Sequence, residues 1–212
     1  MHIPDGFLNV TTAAATYVVS AGGVANAARL ANKKLGEKHV PLMGILAAFI
    51  FAAQMLNFPV LGGTSGHVLG TALAAILLGP WAALLIMSAV LMAQSLVFQD
   101  GGLLALGANI FNMGIVASFS GYYVYRLATL VLGNRRRGQL AGGFAGGWVS
   151  VVLASVVCAL ELVVSGVAPI EVTLPAMAGI HALIGIGEGL ITAAVLSLVL
   201  ATRADLLQLQ RV

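Results

Sequence analysis

Apolar residues fill this chain in runs of about 20, the length a helix needs to cross the hydrocarbon core of a bilayer, and short clusters of turn-forming or charged residues separate the runs. Residues 9–31 make the first, rich in alanine and glycine, and Arg29, Lys33, Lys34 and Lys38 cluster at its end. The second covers about 40–57. A loop, Pro59-Val60-Leu61-Gly62-Gly63-Thr64-Ser65-Gly66, then leads to His67 and a third run that closes at Gly79-Pro80. That run is only about 13 residues long, under the usual span. Either it starts within the loop or the loop itself dips into the protein, where non-helical backbone is tolerated only if it lines a protein cavity. The remaining runs are about 81–98, 104–125, 139–165 and 176–201. The pattern predicts an all-α, polytopic membrane protein with seven transmembrane helices in a single integral membrane domain, residues 1–212.

Charge placement orients the weave. All ten Lys and Arg, at positions 29, 33, 34, 38, 126, 135, 136, 137, 203 and 211, fall on one side of a seven-span chain. The positive-inside rule makes that side cytoplasmic, so the N-terminus is expected outside and the C-terminus inside. His2 and His67 then share the outer side. The outer loops carry Asp5, Asp100 and Glu171 and no positive charge that would repel a cation.

Composition agrees: 60% of residues are hydrophobic and 8% charged, with a mean hydropathy of +1.03, which leaves no means of building a soluble surface. A net charge of +3 could suit nucleic acid only as a basic stripe on a soluble face. There is no such stripe, so the expected environment is membrane lipid and no nucleic acid is expected. The single cysteine, Cys158, lies inside an apolar run, which excludes an intrachain disulfide framework and any CxxC motif. No cleavable secretory signal is read ahead of the first run.

Candidate chemistry begins at the first eight residues, Met1-His2-Ile3-Pro4-Asp5-Gly6-Phe7-Leu8. The terminal amine of Met1, the amide nitrogen of His2 once deprotonated, and Nδ1 of its ring close a five-membered and a six-membered chelate ring around one ion. Peptide planarity keeps these donors nearly coplanar. One corner stays open, and a fourth donor would complete the square-planar field suited to Ni(II) or Cu(II). Removal of an initiator methionine generally needs a small second residue, so Met1 is expected to stay. Pro4-Asp5-Gly6 reads as a tight turn that folds the tail back on the body. By default, though, a histidine at position 2 is a solvated tail residue.

The other histidines are weighed in the same way. His39, beside Lys38, reads as interfacial. His67 follows a flexible glycine-rich segment that lets backbone approach something closely, and it is the best fourth donor. His181 and Glu188 stand seven apart, roughly 20° on one helical face. Ionisable groups within a span usually mark function. They serve either as a relay or second layer of contacts behind a ligand, or simply satisfy each other and nearby carbonyls. Glu161 and Asp100 carry the same ambiguity. The small-xxx-small pairs Gly44/Ala48, Ala48/Ala52 and Ala21/Ala25 permit close helix packing, within the protein or against a partner. No GxxxxGK[ST], HExxH or GxSxG occurs, so neither a P-loop ATPase nor a common hydrolase site is read here.

The segments MHIPDGFL at the start, FAAQMLNFPVLGGTSGHVLGTAL (51–73), QDGGLLALGANIFNMG (99–114) and HALIGIGEGLIT (181–192) resemble the nickel/cobalt substrate-binding membrane components of energy-coupling factor transporters, the NikM/CbiM group. The resemblance implies a six-helix core with an additional N-terminal helix, in a prokaryotic cell membrane. It implies a metal site on Met1, His2 and His67. It also implies partners: a transmembrane coupling subunit, a pair of cytoplasmic ATPases and a small accessory membrane subunit. The expected function is capture of Ni(II) for ATP-driven uptake, by a chain that is not itself an enzyme, with Co(II) as the alternative ion. The order Ile3-Pro4-Asp5 looks more like the nickel members. More distant alternatives are a stand-alone ion-coupled permease and an intramembrane enzyme using His181 and Glu188.

Overall fold

The structure, a computed structural model, describes residues 1–34, 39–60 and 64–211. Lys38 and the Leu61-Gly62-Gly63 part of the loop lie outside the described residues. Helix α1 runs Val10–Lys34, opened by Asn9, whose Oδ1 accepts from the Thr12 amide at 2.8 Å as an N-cap does. Helix α2 is His39–Gln54. Strands β1 (Phe58–Val60) and β2 (Thr64–Gly66) form an antiparallel hairpin in which Phe58 pairs with Gly66 and Val60 with Thr64. Helix α3 is Thr71–Leu78, α4 Pro80–Phe98, α5 Leu106–Leu132, α6 Arg136–Val164 and α7 Ile170–Thr202. A short 3₁₀ segment, Ala204–Arg211, closes the chain.

Among the described residues, α4, α5, α6 and α7 are long and apolar enough to cross a membrane, at 19, 27, 29 and 33 residues, and α2 is apolar but shorter. The short third run resolves in favour of the dipping loop. Only eight residues of it are helical, all of them buried, and strand β2 and the irregular stretch before Thr71 are buried or half-buried with it. Helix α7 starts six residues before the expected 176 and carries Pro175 inside it, at its sixth residue, where the missing amide hydrogen leaves the Glu171 carbonyl without its i→i+4 donor. Between α3 and α4 the chain turns at Gly79, whose φ of +88° favours glycine, and Pro80 then opens α4 with its fixed φ.

Two helices widen into i→i+5 turns, Gln94–Phe98 at the end of α4 and Ile110–Val116 in α5. Wide turns release carbonyls, and the hydroxyl of Thr71 donates to one of them, Met113 O, at 2.9 Å. The closest helix contacts are made by glycines of α5, α6 and α7. A Cβ on Gly146 would lie 2.6 Å from Gly121 O, and one on Gly147 3.1 Å from Gly189 Cα. Such approach substitutes for the hydrophobic driving force that helices lack in lipid. By contrast Gly44, Ala48, Ala52, Ala21 and Ala25 are exposed on the outer faces of α2 and α1. The pairs singled out in the sequence therefore do not build the core.

Candidate metal centre

The first residues are strapped into the protein. Met1 and Ile3 have no exposed surface and His2 keeps 4%. Ile3 donates its amide to Asn109 Oδ1 at 2.8 Å and accepts from Asn109 Nδ2 at 3.1 Å and from the Gly102 amide at 2.9 Å. The Asp5 carboxylate accepts the amides of Leu103 (3.1 Å), Leu104 (2.7 Å) and Ala105 (3.3 Å), which tethers the tail to the start of α5. Gly6, with φ +87°, completes the turn read from Pro4-Asp5-Gly6. A Cβ on Gly102 would overlap the Asp5 carboxylate, so the loop before α5 must be bare at that point.

This strap brings Met1, His2 and His67 together. The Met1 amine is 3.2 Å from His67 Nε2 and also donates to Ser65 O and, at 3.2 Å, contacts Ser65 Oγ. The two imidazole rings stack with centroids 4.7 Å apart. The His2 amide and ring Nδ1 lie 3.3 and 3.4 Å from Ser65 Oγ. Hydrogen bonding fixes both tautomers. His67 Nδ1 is 2.8 Å from Val68 O, a carbonyl that can only accept, so Nδ1 carries the hydrogen and Nε2 presents its lone pair to Met1. For His2 the assignment runs through two glutamines. Gln54 Nε2 donates to Leu69 O (2.9 Å), Gln94 Nε2 donates to Gln54 Oε1 (3.0 Å), and Gln94 Oε1 therefore accepts from His2 Nε2 (3.0 Å). The free lone pair of His2 is on Nδ1, the atom a chelate through the main chain requires.

Burial sets the protonation states. It lowers the Met1 amine to about 5, against weaker pulls from Cys158 and Asp100. His2 is lowered to about 3, by burial first and by the neighbouring amine second. His67 falls well below its usual value for the same reasons. At neutral pH all three nitrogens are unprotonated. Asp100 Oδ1 stands 3.4 Å from His2 Nδ1, and burial raises that carboxyl while the Met1 amine and Asn57 pull it down.

The supports come from distant helices. Glu188 of α7 accepts the amides of Leu69 (2.8 Å) and Gly70 (2.7 Å), holding the segment just after His67. It does not pair with His181. His181 Nδ1 donates to Met177 O, four residues earlier, at 2.8 Å, and its Nε2 has no hydrogen-bond partner among the described residues. Sequence reasoning missed Gln54, Gln94, Asn109 and Ser65 as supports. The available signal was the presence of amide side chains inside apolar runs, which seek partners in lipid. Among the described residues no three His, Cys, Asp or Glu side chains cluster as a metal-holding group, so any chelation here depends on main-chain nitrogens.

The chain as a whole is similar to known proteins. The family model described as "Cobalt uptake substrate-specific transmembrane region", CbiM, matches residues 2–206. A protein of Archaeoglobus fulgidus, provisionally named fused nickel transport protein NikMN, is 46% identical over 98% of this chain and 68% of its own length. The cobalt transport protein CbiM of Sorangium cellulosum is 32% identical over 98% of this chain and 94% of its own. A crystal structure titled as a truncated transition metal transporter superposes with a TM-score of 0.88 at 38% identity, covering 95% of this chain and 99% of that one. This multi-pass membrane chain belongs to the CbiM family.

Proposed function

We propose that the chain is the ion-binding component of an ATP-driven uptake transporter and captures Ni(II) in a plane of four nitrogens: the Met1 amine, the His2 amide, His2 Nδ1 and His67 Nε2. One observation carries this reading. The tautomer of each histidine is locked so that its free lone pair is the one the chelate needs, and the amine and His67 Nε2 stand 3.2 Å apart. Adjacent donors at metal–nitrogen bonds of about 2 Å would be about 2.8 Å apart, so closure needs only a small movement. Deprotonation of the amide and a planar field favour Ni(II) over Co(II). Co(II) is the second reading, supported by the family's description.

In this reading seven spans cross the membrane with the N-terminus outside, and the ion enters from that side. Energy comes from a transmembrane coupling subunit and cytoplasmic ATPases, with a small accessory membrane subunit assisting loading. Glu188, engaged with two loop amides, acts as a support for His67, which leaves an enzymatic relay with His181 without a geometric basis.

The deciding experiment compares the metal content and visible spectrum of the purified chain with those of a variant carrying one alanine inserted between Met1 and His2. The insertion keeps every side chain but supplies an extra amide, so the tail alone fills all four corners and displaces His67. The expected result is about one nickel with a planar d–d spectrum in the native chain, and an altered spectrum in the variant. Identical spectra, or no bound metal in either, would refute the site.

A further inference from the structure

Among the described residues four buried side-chain polar atoms lack a hydrogen-bond partner, and three of them are oxygens on two neighbouring helices: Asn112 Oδ1, Glu161 Oε1 and Ser165 Oγ. Asn112 lies in the widened part of α5 and is fully buried, and Glu161, near the end of α6, keeps 7% exposure. The two side chains are joined by one bond, Asn112 Nδ2 to Glu161 Oε2 at 2.6 Å, which leaves each with one oxygen unused. Ser165 follows Glu161 by four residues, and its amide donates to Glu161 O at 3.0 Å, so the helical turn continues and both side chains lie on one face. Buried acceptors without donors are costly, and a cluster of them calls for a ligand that brings positive charge or hydrogens.

A cavity borders the cluster at Ser165, whose Oγ is itself buried. It measures about 400 Å³ and lies between the tail residues Gly6–Asn9 and Ser165–Val167, so Ser165 stands on its wall. A divalent ion with six waters needs about 180 Å³ at about 30 Å³ per water, and fits. The cluster also adjoins the chelating tail on both helices. One turn from Asn112, Asn109 holds Ile3; one turn from Glu161, Cys158 Sγ is 3.9 Å from Met1 O.

We propose that Glu161, Asn112 and Ser165 form an oxygen-donor site for a hydrated divalent cation, reached from this cavity and lying beside the N-terminal nitrogens. A carboxylate, a carboxamide and a hydroxyl are hard donors suited to an ion that still holds most of its water, whereas the nitrogen plane demands complete stripping. The site exchanges a few waters for oxygens and raises the ion's local concentration before the slower transfer to nitrogen. Its role in loading rests on the uptake reading above; its binding chemistry does not.

The probe is Mn(II), which prefers oxygen donors, added to the purified full chain in detergent, with bound ion counted by loss of the free-ion paramagnetic resonance signal. One saturable Mn(II) site is expected in the native chain and, undiminished, in the chain with alanine inserted after Met1. Glu161→Gln should abolish it, and Ser165→Ala, which leaves the Asn112–Glu161 bond intact, should weaken it about tenfold. In rapid mixing, Glu161→Gln should slow nickel association about tenfold, within the range of electrostatic steering effects, without changing the final spectrum. Mn(II) binding that is absent in the native chain, or equal in the native chain and both variants, overturns the proposal and leaves Asn112 and Glu161 as an acid–amide pair sharing one hydrogen. If Glu161→Gln does not fold, Ser165→Ala decides alone. Failure of the nickel reading would show separately, as identical nickel spectra with and without the insertion.

Discussion

The pH dependence of nickel affinity tests how the tail is held before the ion arrives. Each proton released on binding costs one tenfold loss of affinity per pH unit. With ordinary pKa values of about 8 for the amine and about 6.5 for each imidazole, competition from these three groups between pH 8 and 6 would cost about three orders of magnitude, and amide ionisation about two more. Burial removes most of the first part. The Met1 amine, lowered to about 5, and His2, lowered to about 3, are already unprotonated across that range, as is His67. Only the His2 amide then releases a proton, and the expected loss from pH 8 to 6 is about 100-fold. The sign follows from bases with depressed pKa values: competition sets in only as pH falls through the lowered value, so the slope steepens toward two below pH about 5. Calorimetric titration with NiCl₂ in buffers of different ionisation enthalpy counts the protons directly. A slope near zero would remove the amide from the ligand set. A slope above two between pH 8 and 6 would mean that the amine and imidazoles titrate as in water, refuting the buried tail.

Two supports give further tests. Gln94→Leu removes the acceptor that fixes the His2 tautomer, and outer contacts of this kind are worth about 10–100-fold in affinity; the variant should lose that much nickel affinity in a competition titration while Glu161-dependent Mn(II) binding persists. Glu188→Gln turns one of two accepting oxygens into a donor facing a loop amide, a mismatch costing about 1–3 kcal/mol, so a lower thermal midpoint and weaker nickel binding are expected together. An unchanged midpoint would show that Leu69 and Gly70 find other acceptors.

Much of the architecture was legible because lipid imposes length and charge rules that survive in the linear pattern. The ends of α4 and α6 fall within a few residues of the apolar runs. The third run was ambiguous, because eight buried helical residues after an extended stretch have the same composition as a short span. The meeting of Met1, His2 and His67 was legible because Met1 and His2 are contiguous and a glycine-rich approach precedes His67. Its supports were not. Glu188 reaches Leu69 across 119 positions and Gln94 reaches His2 across 92, and such pairings are decided by how α4 and α7 pack. The empty oxygens of Asn112 and Glu161 were hidden for the same reason, since a polar residue in an apolar run announces that it needs a partner without saying whether it finds one.

The buried Met1 amine is lodged between Ser65 and His67, and if it binds the ion as proposed, the history of the polypeptide's first atom becomes part of its fitness. A formyl group left on that nitrogen, or a residue remaining from a cleaved fusion, would occupy space that the protein fills with its own backbone and would remove a base in the same stroke. In the proposed nickel site, competence would be conferred by maturation after synthesis, and two preparations with the same coding sequence are expected to differ in nickel binding if their termini are finished differently. Labels and purification handles belong at the other end of the chain.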